Sequence, residues 1–386
     1  MESFINEQVK GIEISGIRQF FNMVGNKNDI LSLTIGQPDF PTPSHVKEKT
    51  KEAIDQNQTT YTHNAGILSL REAIASFIKT NYQLEYDPSN EIIVTVGASQ
   101  AIDITLRTIL MKGDEVLLPG PVYPGYEPLV KLAGGIPTFI DTRQSNFKLT
   151  ADLIEKSITP NTKAVIIPYP SNPTGVTLTK DELIDIATVV EKHNIFLIAD
   201  EIYSELVYDQ SHYSIGRFQT IRDKVIIING VSKSHSMTGF RIGYILAADW
   251  LAKHILKVHQ YNVSCASSIS QYGALEAIKN GQHDPIKMKK VYQERRDYVY
   301  QRLKAMNIKT YLPDGGFYFF VDVRHLQKES FSLALQLVEE AKVALVPGSA
   351  FSELGEGFLR LSYAYDMDTL TEGLDRIEAF ISKLTS

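Results

Sequence analysis

Seven short apolar runs, separated by longer stretches with helical spacing, constrain the fold of this chain more than any other feature. The runs are EIIVTV (91–96), EVLL (115–118), IPTFI (136–140), KAVIIP (163–168), IFLIA (195–199), KVIIIN (224–229) and RIGYILAA (241–248). Most are apolar at consecutive positions and so need cover on both faces, as strands inside a mostly parallel sheet do. Between them lie SQAIDITLRTIL from Ser99, YEPLVKLA from Tyr126, TADLIEKSI from Thr150 and TKDELIDIATVVEKH from Thr179, the last with a capping threonine and an acidic first turn. The expected fold is α/β: a large domain with a seven-stranded mostly parallel sheet between helices, plus a smaller α+β domain built from both chain ends.

The smaller unit is expected because the pattern changes after Trp250 to long helices, including one near 286–306. The short strands FYFFVDV, VALVP and FLRLSYA and a final helix from Met367 follow. The expected division is residues 1–45 as an amino-terminal arm and part of the small domain, 46–284 as the large domain, and 285–386 as the small carboxy-terminal domain. The amphipathic segment IEISGIRQFFNMV suits an arm across a subunit interface, and equally an ordinary docking helix. The charged stretch KMKKVYQERR reads as a solvated helix face.

Charge and cysteine content exclude several functions. Thirty-nine basic against forty-five acidic side chains give a net charge of −6, a poor electrostatic footprint for nucleic acid or an anionic membrane surface. One cysteine, Cys265, allows no intrachain disulfide and no Cys-rich zinc site, and fits a reducing, cytoplasmic setting. The longest apolar runs fall far short of a membrane span. No metal site is expected. The sequence contains no Gly-Lys dipeptide, no G-x-G-x-x-G, no G-x-S-x-G and no H-E-x-x-H, which removes P-loop, dinucleotide-binding, α/β-hydrolase and zincin readings.

In an open parallel sheet, ligands bind beyond the carboxyl ends of the strands. The residues at those ends are Gly97, Ala98 and Ser99; Tyr123; Ser171, Asn172 and Pro173; Asp200 and Tyr203; and Gly230, Ser232 and Lys233. Lys233 stands out. Alone, a loop lysine is usually solvent-facing, but one inside a crevice near Arg241 has its charge disfavoured by burial and by the like charge, which makes the neutral nucleophilic amine accessible.

The segment GVSKSHSMTGFR around Lys233 and Arg241 resembles the cofactor-attachment pattern of class I (fold type I) pyridoxal-phosphate-dependent aminotransferases. The resemblance runs along nearly the whole chain, through IGQPDF, YTHNAGILSLREAI, GASQA, PGPVYPGY, PSNPTG, ADEIY, PDGGFYFF and FLRLSYA, and is closest to the bacterial aspartate, aromatic and N-acetyl-diaminopimelate branch. It implies that Lys233 forms the internal Schiff base with pyridoxal 5′-phosphate and then moves the substrate proton. By the same resemblance Arg241, Ser232 and the N–H groups of Ala98 and Ser99 hold the phosphate. Asp200 faces the pyridine nitrogen, Tyr203 and Asn172 the phenolic oxygen, and Tyr123 stacks on the ring. Tyr61 reaches the phosphate of a neighbouring subunit, which implies a homodimer with composite sites. Arg360, with Asn172 and the main chain at Gly36, clamps the substrate α-carboxylate. Each also has a plainer reading: an Asp caps helices, Pro-x-Asn-Pro makes turns, and a tyrosine between prolines packs.

Departures narrow the substrate. Ser99 occupies a position where aspartate-preferring members can carry lysine, VSCASSIS has no arginine, and His235 and Phe240 replace commoner aromatic residues. The expected activity is ping-pong transfer of an amino group from an amino acid to a 2-oxo acid such as 2-oxoglutarate, with N-acetyl-diaminopimelate, an aromatic amino acid or aspartate as donor. Rivals are a carbon–sulfur β-lyase on the same fold and a non-catalytic sensor. Sensors of that kind carry an added DNA-binding module, for which the acidic balance is unsuited.

Overall fold

The structure is a computed structural model that describes residues 1–24 and 29–385. Twelve strands are present among them: β1 (Leu31–Ser32), β2 (Ile92–Thr95), β3 (Glu115–Gly120), β4 (Ile136–Asp141), β5 (Thr162–Ile167), β6 (Phe196–Asp200), β7 (Val225–Gly230), β8 (Gly243–Leu246), β9 (Tyr318–Asp322), β10 (Val343–Ala344), β11 (Val346–Pro347) and β12 (Phe358–Ser362). Seven form one sheet in the order β2-β8-β7-β6-β5-β3-β4. They correspond to the seven expected runs. Only β8 runs against its neighbours β2 and β7, and the other pairs are parallel.

Period-two alternation explains the consecutive apolar residues. In β7, Val225 and Ile227 join one core cluster with Leu117, Val165 and Leu197. The intervening Ile226 and Ile228 join the opposite cluster with Val116, Leu118 and Ile166. Both faces of the sheet are thus dry, and a single polar substitution on either would lose the roughly 1.5–3 kcal/mol that full burial of such a side chain contributes. The covering helices start where expected. The Thr150 hydroxyl accepts from Leu153 N–H at 3.3 Å, and Thr179 and Glu182 form a reciprocal capping box on helix Lys180–Lys192.

A second layer combines β11-β12-β9, all antiparallel, with the parallel pair β1-β10. The run VALVP splits here, since Val343–Ala344 pairs with β1 whereas Val346–Pro347 pairs with β12. Leu33 N–H donates to Ala344 at 3.0 Å and Leu33 C=O accepts from Ser362 N–H at 2.9 Å, joining the two chain ends.

One expectation changes. KMKKVYQERR, within helix Asp284–Ala305, is not a solvated face: Met288, Tyr292, Arg295 and Arg296 are buried, continuing to Val299 and Leu303. The spacing of four, three and four residues puts them on one stripe, and both arginines carry partners inward. Arg295 meets Asp39 at 2.9 Å and Arg296 meets Asp209 at 2.8 Å. In the amino-terminal segment, where a docking helix is one of the two readings, helix Gly16–Val24 packs on its own chain, burying Phe20 edge-on against Phe331 at 6.3 Å. No described helix is long and apolar enough to cross a membrane.

Candidate active site

The carboxyl ends of the parallel strands open into a cavity of about 460 Å³. Gly36, Ala98, Ser99, Tyr123, Asn172, Asp200, Tyr203, Ser232, Lys233, Arg241 and Arg360 all line it. Tyr61 does not; it is 87% exposed on the outer surface.

One end is built to take an anion. The chain leaves β2, turns through Gly97 at φ +74° and enters helix Gly97–Ile109, whose first turn has no side-chain cap. Arg241, in a left-handed conformation, donates to Thr238 C=O at 2.9 Å. Its guanidinium fills the space over Gly97, where a Cβ would come 2.5 Å from Nη2. A helix N-terminus, a guanidinium and the Ser232 hydroxyl together suit a phosphate.

At the centre, helix Val231–Ser234 follows β7 directly and carries Lys233. Nζ donates to Gly36 C=O at 2.5 Å and lies 5.7 Å from the ring centre of Tyr203. Burial, followed by the charges of Arg360 and Arg241, pushes the amine down to about 8, against the opposing pull of Asp200. Asp200 closes β6 and is buried, which raises its carboxyl. The Tyr126 hydroxyl at 2.7 Å and Ile202 N–H at 3.2 Å oppose that rise.

The other end holds Arg360, 2% exposed on β12. Its Nη1 donates to Asn172 Oδ1 at 2.8 Å and its Nη2 to Thr34 C=O at 2.7 Å, while buried Nε has no partner. Among the described residues no carboxylate pairs with Arg360, and Tyr318 and Phe351 lie with ring centres 4.4 and 4.9 Å from the guanidinium carbon. A buried arginine without an anion is costly, so the cavity is set to receive one. Tyr126, Tyr318 and Thr34 were not among the expected site residues. Their partners lie 74, 115 and 326 residues away, and no local pattern signals them.

A phosphate cradle, an amine with suppressed charge and a buried carboxylate within one cavity fit pyridoxal 5′-phosphate, and with this sheet they define a pyridoxal-phosphate enzyme. The chain belongs to the aminotransferase class I and II family, whose model matches residues 28–377. It is 56% identical over 383 residues to the "Probable N-acetyl-LL-diaminopimelate aminotransferase" of Bacillus subtilis (strain 168), covering 99% of this chain and 97% of the relative. It is 40% identical to an aspartate aminotransferase of Pyrococcus abyssi, covering 99% and 100%. The crystal structure of an aromatic aminotransferase from Pyrococcus horikoshii OT3 superposes with a TM-score of 0.90 at 39% identity, covering 95% of this chain and 99% of that one. The protein is therefore a pyridoxal-phosphate-dependent aminotransferase acting on amino acids and 2-oxo acids, and the β-lyase alternative gains no support from these relatives.

Proposed function

We propose that this aminotransferase takes N-acetyl-LL-diaminopimelate, or a donor of similar length, in preference to aspartate, and passes the amino group to a 2-oxo acid such as 2-oxoglutarate in a ping-pong cycle. The observation that carries this reading is the supply of cations. Among the described residues that line the cavity, only Lys233, Arg241 and Arg360 are cationic, and position 99 is serine. Two of these suit the cofactor and one the α-carboxylate, so the described residues of this chain place no further cation in the cavity for the near distal carboxylate of aspartate. The 56% identity to the Bacillus subtilis relative points the same way.

In this reading Arg241, Ser232 and the N–H groups of Ala98 and Ser99 hold the phosphate, and Tyr123 packs on the ring. Asp200, braced by Tyr126, keeps the ring nitrogen protonated, and Tyr203 and Asn172 address the phenolic oxygen. Bound pyridoxal phosphate supplies an electron sink for the carbanion left at the donor Cα. Arg360 and Asn172 orient the donor by its α-carboxylate, and Gly36 contributes main-chain contact. Lys233 Nζ, its charge disfavoured by burial and the adjoining cations, would act as the base at the donor Cα and carry that proton across to the cofactor. Tyr61 comes from a second copy, so the enzyme acts as a homodimer in the cytoplasm, with units at 1–45, 46–284 and 285–386.

Half-reactions of the holoenzyme with a panel of donors, followed by the loss of the cofactor's visible band, test the substrate. N-acetyl-LL-diaminopimelate is expected to exceed aspartate at least about tenfold in kcat/KM, the effect of one lost charge contact of about 1.5–3 kcal/mol. Aspartate equal to or better than it would overturn the assignment of the donor.

A further inference from the structure

Tyr318 does not line the cavity, yet it touches two of the residues that define it. It opens β9 and is fully buried. In the antiparallel register β12 sets Ser362 opposite Tyr318 and Arg360 opposite Phe320, so Arg360 is the diagonal same-face neighbour of Tyr318. That register explains why the guanidinium carbon lies 4.4 Å from the Tyr318 ring centre. At the far end of the same ring the hydroxyl lies 2.9 Å from the Tyr203 hydroxyl. A Cβ on Gly36 would meet that hydroxyl at 3.3 Å, so the loop that approaches Lys233 also rests on it.

We propose that Tyr318 is a positioning residue for this site: its hydroxyl sets the direction in which the Tyr203 hydroxyl donates, and its ring seats Arg360. The inference rests on the reading of Tyr203 and Arg360 given above. A phenol has one hydrogen to give. If Tyr203 gave its hydrogen to Tyr318, none would remain for the phenolic oxygen of the cofactor. With Tyr318 as donor, Tyr203 accepts from behind and donates into the cavity, and the two bonds strengthen each other. The other ionisable groups facing Tyr203 are Lys233 beside its ring, Arg360 on β12, Asp200 at the end of β6 and Tyr126. None of them hydrogen-bonds the Tyr203 hydroxyl among the described residues.

The test uses the holoenzyme and two separable readouts. A donor to the phenolic oxygen favours the form of the cofactor that has lost its neighbouring proton, so weakening it raises the pH midpoint of the visible absorption band. Tyr318→Phe, which removes only an oxygen, is expected to raise that midpoint by roughly 0.2 to 0.5 pH unit, less than Tyr203→Phe does, and to leave KM within about twofold. In the Tyr203→Phe background Tyr318→Phe should add no further shift. Tyr318→Leu, which removes the ring, should raise KM for amino donor and 2-oxo acid together by about three- to thirtyfold, as loss of a desolvated cation–π contact does. An unmoved midpoint in Tyr318→Phe beside a moved one in Tyr203→Phe overturns the hydroxyl role. An equal rise in KM for the Phe and Leu variants overturns the ring role. An unmoved midpoint in Tyr203→Phe instead removes the reading of Tyr203 on which the inference stands. Thermal midpoints and cofactor content confirm folding; if the Leu variant does not fold, Tyr318→Met, which also removes the ring, takes its place, and the same KM comparison with Tyr318→Phe decides.

Discussion

Replacing Arg360 by methionine keeps most of the side-chain volume and removes the charge. In the present structure the guanidinium already has both terminal nitrogens engaged, with Asn172 Oδ1 at 2.8 Å and Thr34 C=O at 2.7 Å, and is backed by two aromatic rings. It is therefore pre-oriented for a planar, two-pronged partner. Two charge-assisted bonds to a carboxylate are worth about 1.5–3 kcal/mol each, or about 3–6 kcal/mol together. At 1.36 kcal/mol per decade, kcat/KM should fall by about two to four orders of magnitude. The fall should be similar for amino donor and 2-oxo acid, because each carries the carboxylate. Arg360→Lys retains the charge without the fork and should fall in between. Arg360 is also the second cause, after burial, of the lowered Lys233 amine, so only the methionine variant should move cofactor capture to higher pH. Pre-steady-state half-reactions with enzyme of matched cofactor content measure all of this. A loss under about fivefold, or one confined to a single substrate, would refute the argument.

Three further outcomes follow from the same geometry. With Lys233 at about 8, apoenzyme should capture pyridoxal phosphate faster as pH rises, levelling off above about 8, because only the neutral amine attacks; a rate still climbing beyond pH 10 by stopped-flow absorbance would contradict it. Gly97→Ala adds a Cβ 2.5 Å from Arg241 Nη2 at φ +74°, a conformation costing an L residue about 1–2 kcal/mol. Equilibrium dialysis should find cofactor affinity at least about tenfold weaker, and unchanged affinity would remove Arg241 from the cradle. Tyr126→Phe takes the 2.7 Å donor from Asp200; the half-reaction should slow by about ten- to a hundredfold with KM little changed, a bond to a charged group being worth about 1.5–3 kcal/mol. A normal rate would leave Asp200 without need of that support.

The large sheet was legible because its strands are apolar on both faces, so seven unbroken runs survive in the sequence. The reversed direction of β8 was not, since an apolar run carries no sign of parallel or antiparallel pairing. Lys233, Arg241, Asp200 and Asn172 could be singled out because each sits at a strand end or in a turn inside a segment that resembles the family's, and the fold brings all four to one cavity. Tyr126 and Tyr318 could not, because as isolated tyrosines in aromatic segments they gain meaning only from hydroxyl partners brought near by the fold. The helix around Arg295 and Arg296 misled for a related reason: charge count hid a buried stripe whose arginines are neutralised by Asp39 and Asp209 from distant loops.

The amine of Lys233, its charge disfavoured by burial and by Arg360 and Arg241, lines the cavity and is the group expected to condense with pyridoxal phosphate. Borohydride reduction of the holoenzyme followed by peptide mass spectrometry tests it directly. One phosphopyridoxyl adduct per chain is expected, located on Lys233 and lost in Lys233→Ala together with turnover. An adduct on another lysine, or transamination persisting in that variant, would contradict it.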